Sequence, residues 1–294
     1  MRAASLMLCF EDELARASQT AEAAGMPVAC IERHVFPDGE TRLRLPPQLP
    51  PRVVLLRSLH APNTRLVELM LAARTARALG TAHLTLVAPY LGYMRQDMAF
   101  VPGEAVSQTI VGRFLADLFD AVITVDPHLH RVSSLQQAVP AQQALALTAA
   151  PLLADFVFGQ SPNALLIGPD EESEQWISVA ASRHGFEHAV CRKVRRGDRD
   201  VQVALPDVPV KGRAVVLLDD VASSGHTLAQ AARQLLQAGA RRVDVAVTHA
   251  LFSGDALQVV KAAGVDRVWS TDSIPHESNC IGLASVLAAA LTQG

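Results

Sequence analysis

The chain has 294 residues, half of them apolar and 19% charged, which suits one large or two medium globular domains and excludes a disordered chain. Twenty-six basic residues against 29 acidic ones give a net charge of −3, so no global field recruits nucleic acid or an anionic membrane. Only Lys193, Lys211 and Lys261 are lysines; the arginines that make up the rest, with the many alanines, read as genome composition rather than function.

Short β-branched runs alternate with alanine- and leucine-rich stretches. The pattern predicts strands at 53–56, 84–88, 121–125, 164–167, 214–218, 243–248 and 267–270. It predicts helices at 64–79, 107–119, 172–184, 227–238 and 254–263, and a final helix at 280–291 that could pack on either half. The strands are continuous apolar runs, as expected when helices cover both faces of a parallel sheet. Seven strands suit two sheets better than one, and residues 138–161, with Pro140, Pro151 and Pro162 around a short helix, read as the bridge between halves. Cys9, Cys30, Cys191 and Cys280 have no metal-ligand or disulfide-framework spacing. The opening MRAASLMLCF is too short in its apolar run for a signal peptide, and no run approaches the ~20 residues of a membrane span. The expectation is a soluble, cytoplasmic protein.

The strongest constellation is residues 215–228, VVLLDDVASSGHTL. An apolar strand runs into Asp219 and Asp220, then Ser223, Ser224 and Gly225, then His226 and Thr227 opening a helix. Small residues let backbone N–H groups converge on an anion, and a helix N-terminus adds favourable partial charge, which together make a phosphate cradle. The paired carboxylates would suit a sugar's vicinal hydroxyls or a bound magnesium ion. Alternatively, the segment is an ordinary helix cap with two solvated aspartates; adjacent carboxylates repel, however, unless something uses them. Walker and dinucleotide-binding glycine patterns are both absent.

Other segments are weaker alone. HVFPDGE (34–40) has the order of an ordinary turn. PYLGYMRQD (89–97) follows a strand, and its RQD could be a surface ion pair. TVDPHLH (124–130) carries His128 and His130, suited to metal binding or to plain hydrogen bonding. His184, Glu187 and His188 fit an HxxEH zinc pattern, but Gly185 reads as a helix stop, which would part the two histidines. Lys193, Arg195, Arg196 and Arg199 form a basic run beside Gly197, either a solvated hairpin or a cationic loop able to close over a triphosphate.

The 215–228 run resembles the 5-phosphoribosyl-1-diphosphate motif of type I phosphoribosyltransferases and of ribose-phosphate pyrophosphokinases. The other segments, in order over nearly the whole chain, resemble the pyrophosphokinase family, since plain transferases lack the first half. The resemblance implies an α/β fold of two tandem phosphoribosyltransferase-like domains, with parallel sheets flanked by helices. Residues 1–145 would bind nucleotide and residues 146–294 ribose 5-phosphate, with the active site between them. It implies ATP contacts from Phe36, Asp38, Glu40, Arg95, Gln96 and Asp97, and metal binding by His128 and Asp170, with Mg²⁺ as cofactor. It further implies catalysis by Lys193 and Arg195, and ribose 5-phosphate binding by Asp219, Asp220, Ser223, Ser224, Gly225, His226 and Thr227. The reaction implied is attack of the ribose C1 hydroxyl on the β-phosphorus of ATP. A homo-oligomer is implied, since family members are usually multimeric.

Two departures stand out. His226 occupies a position where glycine is common, tolerable if its side chain points away from the cradle. Glu171, Glu172 and Ser173 replace a glycine-rich turn, adding acids beside a phosphate site. A non-catalytic regulatory relative is the alternative, disfavoured because a binding-only protein has no use for the loop cations; a base-specific phosphoribosyltransferase would leave the first half unexplained.

Overall fold

The computed structural model describes residues 5–129, 131–195 and 201–292, and it divides into two compact units. The first runs to Leu147 and takes back the chain from Leu283; the second spans Thr148–Gly282.

The first unit contains β1 (Ser5–Phe10), α1 (Leu14–Ala24), β2 (Val28–Val35), β3 (Thr41–Arg44), β4 (Arg52–Leu56) and α2 (Pro62–Ala78). It continues with β5 (His83–Ala88), α3 (Ser107–Leu118), β6 (Ala121–Val125), α4 (Leu135–Ala138) and β7 (Gln143–Leu147). Its sheet order is β3-β2-β1-β4-β5-β6-β7, parallel except for the β2–β3 hairpin. All five residues of β6 and the last four of β4 are buried, as their unbroken apolar sequence requires. Leu8, Phe10, Leu55 and Leu86 meet Leu69, Ala73 and Leu115 of α2 and α3 in one core.

The second unit contains α5 (Ala150–Gln160), β8 (Leu165–Gly168), α6 (Glu174–His184), β9 (His188–Val190), β10 (Arg192–Arg195) and β11 (Val201–Ala204). There follow β12 (Ala214–Ala222), α7 (His226–Gln237), β13 (Arg242–Ala250), α8 (Ala256–Ala262), β14 (Val268–Thr271) and β15 (Asn279–Ile281). The main sheet is β15-β14-β13-β12-β8-β9, all parallel, with β10–β11 a separate antiparallel pair. Two apolar clusters sandwich it, one under α7 and α8, the other under α5 and α6.

Each unit is wound the same way. From β1 the chain moves to one side and from β4 to the other; β8 and β12 repeat that reversal. Ligand crevices form at such switch points, outside the carboxyl ends of the strands. α1 and α6 even end alike, at Gly25 and Gly185 in the left-handed conformation.

Three expectations need correction. The first 50 residues hold three strands and a helix where none was foreseen. Residues 138–161 hold the expected helix, as α5, but also the unforeseen strand β7, and the units part between Leu147 and Thr148. A second domain running to residue 294 is also wrong at its end. The last helix, α9 (Ala284–Thr292), packs on α1 of the first unit, burying Leu287 and Ala288.

Candidate active site

The second unit's switch point collects the strongest residues from the sequence. Asp170 follows β8 and is 8% exposed; Asp219 and Asp220 lie within the last turns of β12, one half-buried and the other 3% exposed. The N–H of Asp220 donates to Asp219 Oδ1 at 3.0 Å. Burial first, then the charges of Asp220 and Asp170, push the Asp219 carboxyl well above the usual carboxylate range. Three carboxylates thus share one field, and a cation or hydrogen-bond donors nearby would relieve their mutual repulsion.

Asp170 is held by the departure that had looked unfavourable. Its Oδ1 accepts the Glu172 N–H at 3.1 Å, and Ser173 Oγ donates to its carbonyl at 2.6 Å. Ser173 packs so close over Gly168 that a Cβ there would lie 2.1 Å from its hydroxyl. The side chains of Glu171 and Glu172 are exposed, so solvent screens the acids expected to oppose a phosphate.

The cradle itself follows β12. Gly225 stands at the N-cap of α7 with φ +73°, and a Cβ on it would meet Ala256 O at 2.8 Å and Val260 Cγ2 at 2.9 Å. Only glycine satisfies both the conformation and the close approach. Ser224 and His226 are exposed, Ser223 and Thr227 half-buried. The helix N-terminus, three hydroxyls and an exposed imidazole suit a phosphate dianion.

In the first unit, residues 36–40 form the β2–β3 turn, with Phe36 N–H on Glu40 O at 2.8 Å and Gly39 N–H on Phe36 O at 2.9 Å. Asp38 Oδ1 accepts the Glu40 N–H at 3.1 Å. Phe36 is exposed and meets His34 edge-on at 4.7 Å between centroids, leaving ring surface on which a base could stack.

Arg95, Gln96 and Asp97 follow β5, separated from that hairpin in the sheet by β1 and β4. Gln96 Nε2 donates to Met98 O at 3.0 Å, its carbonyl accepts the Gln108 N–H at 3.1 Å, and Gln108 Nε2 holds Met94 O at 2.9 Å. Arg131 Nη1 donates to Asp97 Oδ1 at 2.6 Å, while Asp97 Oδ2 is buried without a hydrogen-bond partner. Arg95 is exposed.

His128 is half-buried, two residues after Asp126, whose positive φ of 36° turns the chain out of β6. His130 lies outside the described residues. His128 and Asp170 belong to different units, and among the described residues no group of three or more His, Cys, Asp or Glu is arranged to hold a metal. Lys193 and Arg195 stand in β10, in register with Val203 and Val201; Arg196 and Arg199 lie outside the described residues. The zinc pattern is broken as expected. His184 ends α6 against Asp155, His188 begins β9, and Gly185 turns between them at φ +72°.

What fills the first unit's switch point was missed in the sequence reading. Arg57, 1% exposed, donates from Nη1 to Asp12 Oδ1 and Oδ2, both at 2.9 Å, and to Glu13 Oε2 at 3.2 Å. Its Nη2 pairs with Glu68, and its guanidinium lies 4.4 Å over the Phe10 ring. Arg16, Arg33 and Arg65 close the network from outside. Burial pushes the Glu13 carboxyl up despite Arg57, whereas at Asp12 the arginines outweigh burial and hold it low. Partial burial first, then the charges of Arg65, Arg16 and Arg57, lower the half-buried His60 to a pKa of about 4. Where the second unit's switch point gathers acids, the first unit's is filled by a paired ion network. The only local signal was an arginine directly after an apolar strand, with partners far away in sequence.

Residues 6–121 match the family described as the N-terminal domain of ribose phosphate pyrophosphokinase, and residues 134–284 match the phosphoribosyl transferase domain. A ribose-phosphate pyrophosphokinase of Methanopyrus kandleri is 33% identical, covering 97% of this chain and 98% of that protein. Ribose-phosphate pyrophosphokinase 1 of Archaeoglobus fulgidus is 32% identical, covering 94% and 96%. A crystal structure of phosphoribosylpyrophosphate synthetase from Mycobacterium smegmatis shares the fold, with a TM-score of 0.83 over 99% of this chain and all of that one, at 23% identity. With both halves matched and relatives aligned nearly end to end, the acid cluster and its cradle have their context: the chain belongs to the ribose-phosphate pyrophosphokinase family.

Proposed function

We infer that this protein is a ribose-phosphate diphosphokinase, converting ATP and ribose 5-phosphate to AMP and 5-phosphoribosyl-1-diphosphate. The observation that carries the reading is the second unit's switch point, where Asp219 and Asp220 run directly into the glycine-turned cradle of residues 223–227. A sugar phosphate needs both features at that spacing: carboxylates for vicinal hydroxyls and a helix N-terminus for the phosphate.

In this reading the second unit takes ribose 5-phosphate. Asp219 and Asp220 accept hydrogen bonds from the ring hydroxyls, and Ser223, Ser224, Gly225, His226 and Thr227 hold the 5-phosphate. The first unit carries the nucleotide residues. Phe36 stacks on the base, Asp38 and Glu40 bond its polar edge, and Arg95, Gln96 and Asp97 bind the remainder of ATP. The C1 oxygen forms a bond to the β-phosphorus, the bridging bond between the α- and β-phosphoryl groups breaks, and AMP leaves as the hydroxyl proton passes to solvent.

Lys193 and Arg195 stabilise charge on the transferred group. Phosphoryl transfer draws most of its acceleration from such positioning and charge neutralisation. The negative charge that Asp220 and Asp170 add at Asp219 favours a cation nearby. Asp170 in the second unit and His128 in the first are each assigned as ligands for Mg²⁺, which when bound would neutralise phosphate charge.

The test incubates protein, ATP, Mg²⁺ and ribose 5-phosphate, and separates nucleotides chromatographically. Sugar-dependent AMP matched by 5-phosphoribosyl-1-diphosphate is expected. ADP would make the protein a simple kinase. Nucleotide binding without turnover would move it to the regulatory alternative.

A further inference from the structure

The cradle of residues 223–227 does not stand on its own strand alone. Beyond the last register pair of β12 and β13, Ala222 with Ala250, the Phe252 N–H donates to Ala222 O at 2.9 Å. The Ser253 N–H then donates to Ser223 O at 3.0 Å. The segment after β13 therefore lies alongside the cradle and fixes the carbonyl of its first serine.

That segment is held in a costly conformation. Phe252 has φ +34°, a region that bulky residues avoid and keep only when the surroundings over-determine it. What holds it is a stack: the buried Phe252 ring lies on His276, centroids 4.9 Å apart and planes 28° from parallel.

His276 is itself held at its Nδ1 edge and through its backbone N–H. Its Nδ1 accepts the Ser278 N–H at 3.2 Å and lies 2.7 Å from Ser278 Oγ; its own N–H donates to Asn279 Oδ1 at 2.9 Å. Asn279 Nδ2 donates to Thr271 O at 2.6 Å and to Ser270 Oγ at 2.9 Å, anchoring the assembly on β14. A chain of contacts thus runs from β14 through His276 and Phe252 to the Ser223 carbonyl.

We propose that His276 is a positioning residue for the sugar-phosphate cradle, setting its affinity for ribose 5-phosphate through the stack on Phe252 and the two backbone bonds to Ala222 and Ser223. This rests on the reading that the cradle takes the 5-phosphate. His276 contributes no group to the substrate; it keeps Phe252 strained and the cradle carbonyls aimed away from the anion.

Steady-state kinetics on the full-length protein test it, with His276→Ala, His276→Phe and Thr227→Ala compared. His276→Ala is expected to raise KM for ribose 5-phosphate roughly 10- to 100-fold, the scale of small misplacements at a site, while KM for ATP stays within about twofold. His276→Phe, which keeps a ring on Phe252, is expected to restore the sugar-phosphate KM. An unchanged KM for ribose 5-phosphate in His276→Ala would overturn the proposal, as would equal rises in both KM values, or failure of His276→Phe to restore. Thr227→Ala separates the two readings. If it weakens ribose 5-phosphate and His276→Ala does not, the positioning role alone fails. If Thr227→Ala has no effect, the cradle assignment fails and the proposal with it.

Discussion

The Asp219 carboxylate accepts the N–H of its own neighbour Asp220, and that bond stabilises its charge while burial and the charges of Asp220 and Asp170 oppose it. Opposition wins, and the Asp219 carboxyl stands above its ordinary range. Vicinal hydroxyls donating to Asp219, or a cation nearby, would reverse the balance, so binding is favoured by relief of a strain the fold maintains.

This makes Asp219→Asn a trade of function for stability. The folded pKa lies above the unfolded value, so ionisation opposes folding. The penalty is absent below about pH 4, the ordinary carboxyl range, and grows as pH rises toward the folded value. The variant's thermal midpoint should exceed the parent's by roughly 2–4 °C at pH 7.5 and match it near pH 4. Its KM for ribose 5-phosphate should rise at least about tenfold, the loss of one charge-assisted bond. Scanning calorimetry at both pH values checks the first statement, and a stability gain that does not shrink on acidification would contradict it.

Gly225→Ala probes the cradle's geometry. The added Cβ meets the Ala256 carbonyl and Val260 at under 3 Å in a left-handed residue, so both strain and clash are expected. Stability should fall by about 1–3 kcal/mol in urea titration, and ribose 5-phosphate binding should weaken with ATP binding retained. Normal sugar-phosphate affinity would mean that the cradle need not turn at this glycine.

How much of this was readable in the sequence depends on range. The 215–228 segment was legible because strand, acid pair, small run and helix start are contiguous, and each has a local physical reason. Gly185 likewise announced the end of α6 and removed the zinc reading. The opening of the chain was not legible: α1 buries Arg16 and Thr20 beside two alanines, and β2 carries Glu32, Arg33 and His34 on an exposed stretch. The return of α9 to the first unit was equally hidden, because it depends on a surface some 260 residues earlier. The Arg57 network joins positions 11, 44 and 45 residues apart, so no window could contain it. The Asp170 turn was misjudged because exposed and buried acids look alike in sequence.

Arg57→Met tests what the ion network contributes. Removing the guanidinium leaves Glu13 and Glu68 buried without their central partner, which typically costs about 3–5 kcal/mol. Urea unfolding should show a loss of that order. A change below about 1 kcal/mol would mean that Arg16, Arg33 and Arg65 can neutralise the acids alone.

Lys193→Ala addresses the chemistry. Lys193 is assigned no part in holding ribose 5-phosphate, which rests on β12 and the turn into α7, so its loss should fall on the transition state. Turnover should drop by roughly 10²–10³-fold, the usual cost of one well-placed charge donor, and KM for ribose 5-phosphate should change little. Arg195→Ala should behave similarly, and the double variant should lose less than the product of the two, because the cations would act on one transferred group. Stopped-time assays of AMP formation, with calorimetry of ribose 5-phosphate binding on the same samples, separate the two quantities. Near-normal turnover in Lys193→Ala would remove the β10 cations from the reaction and leave positioning by the acid cluster as the main source of rate.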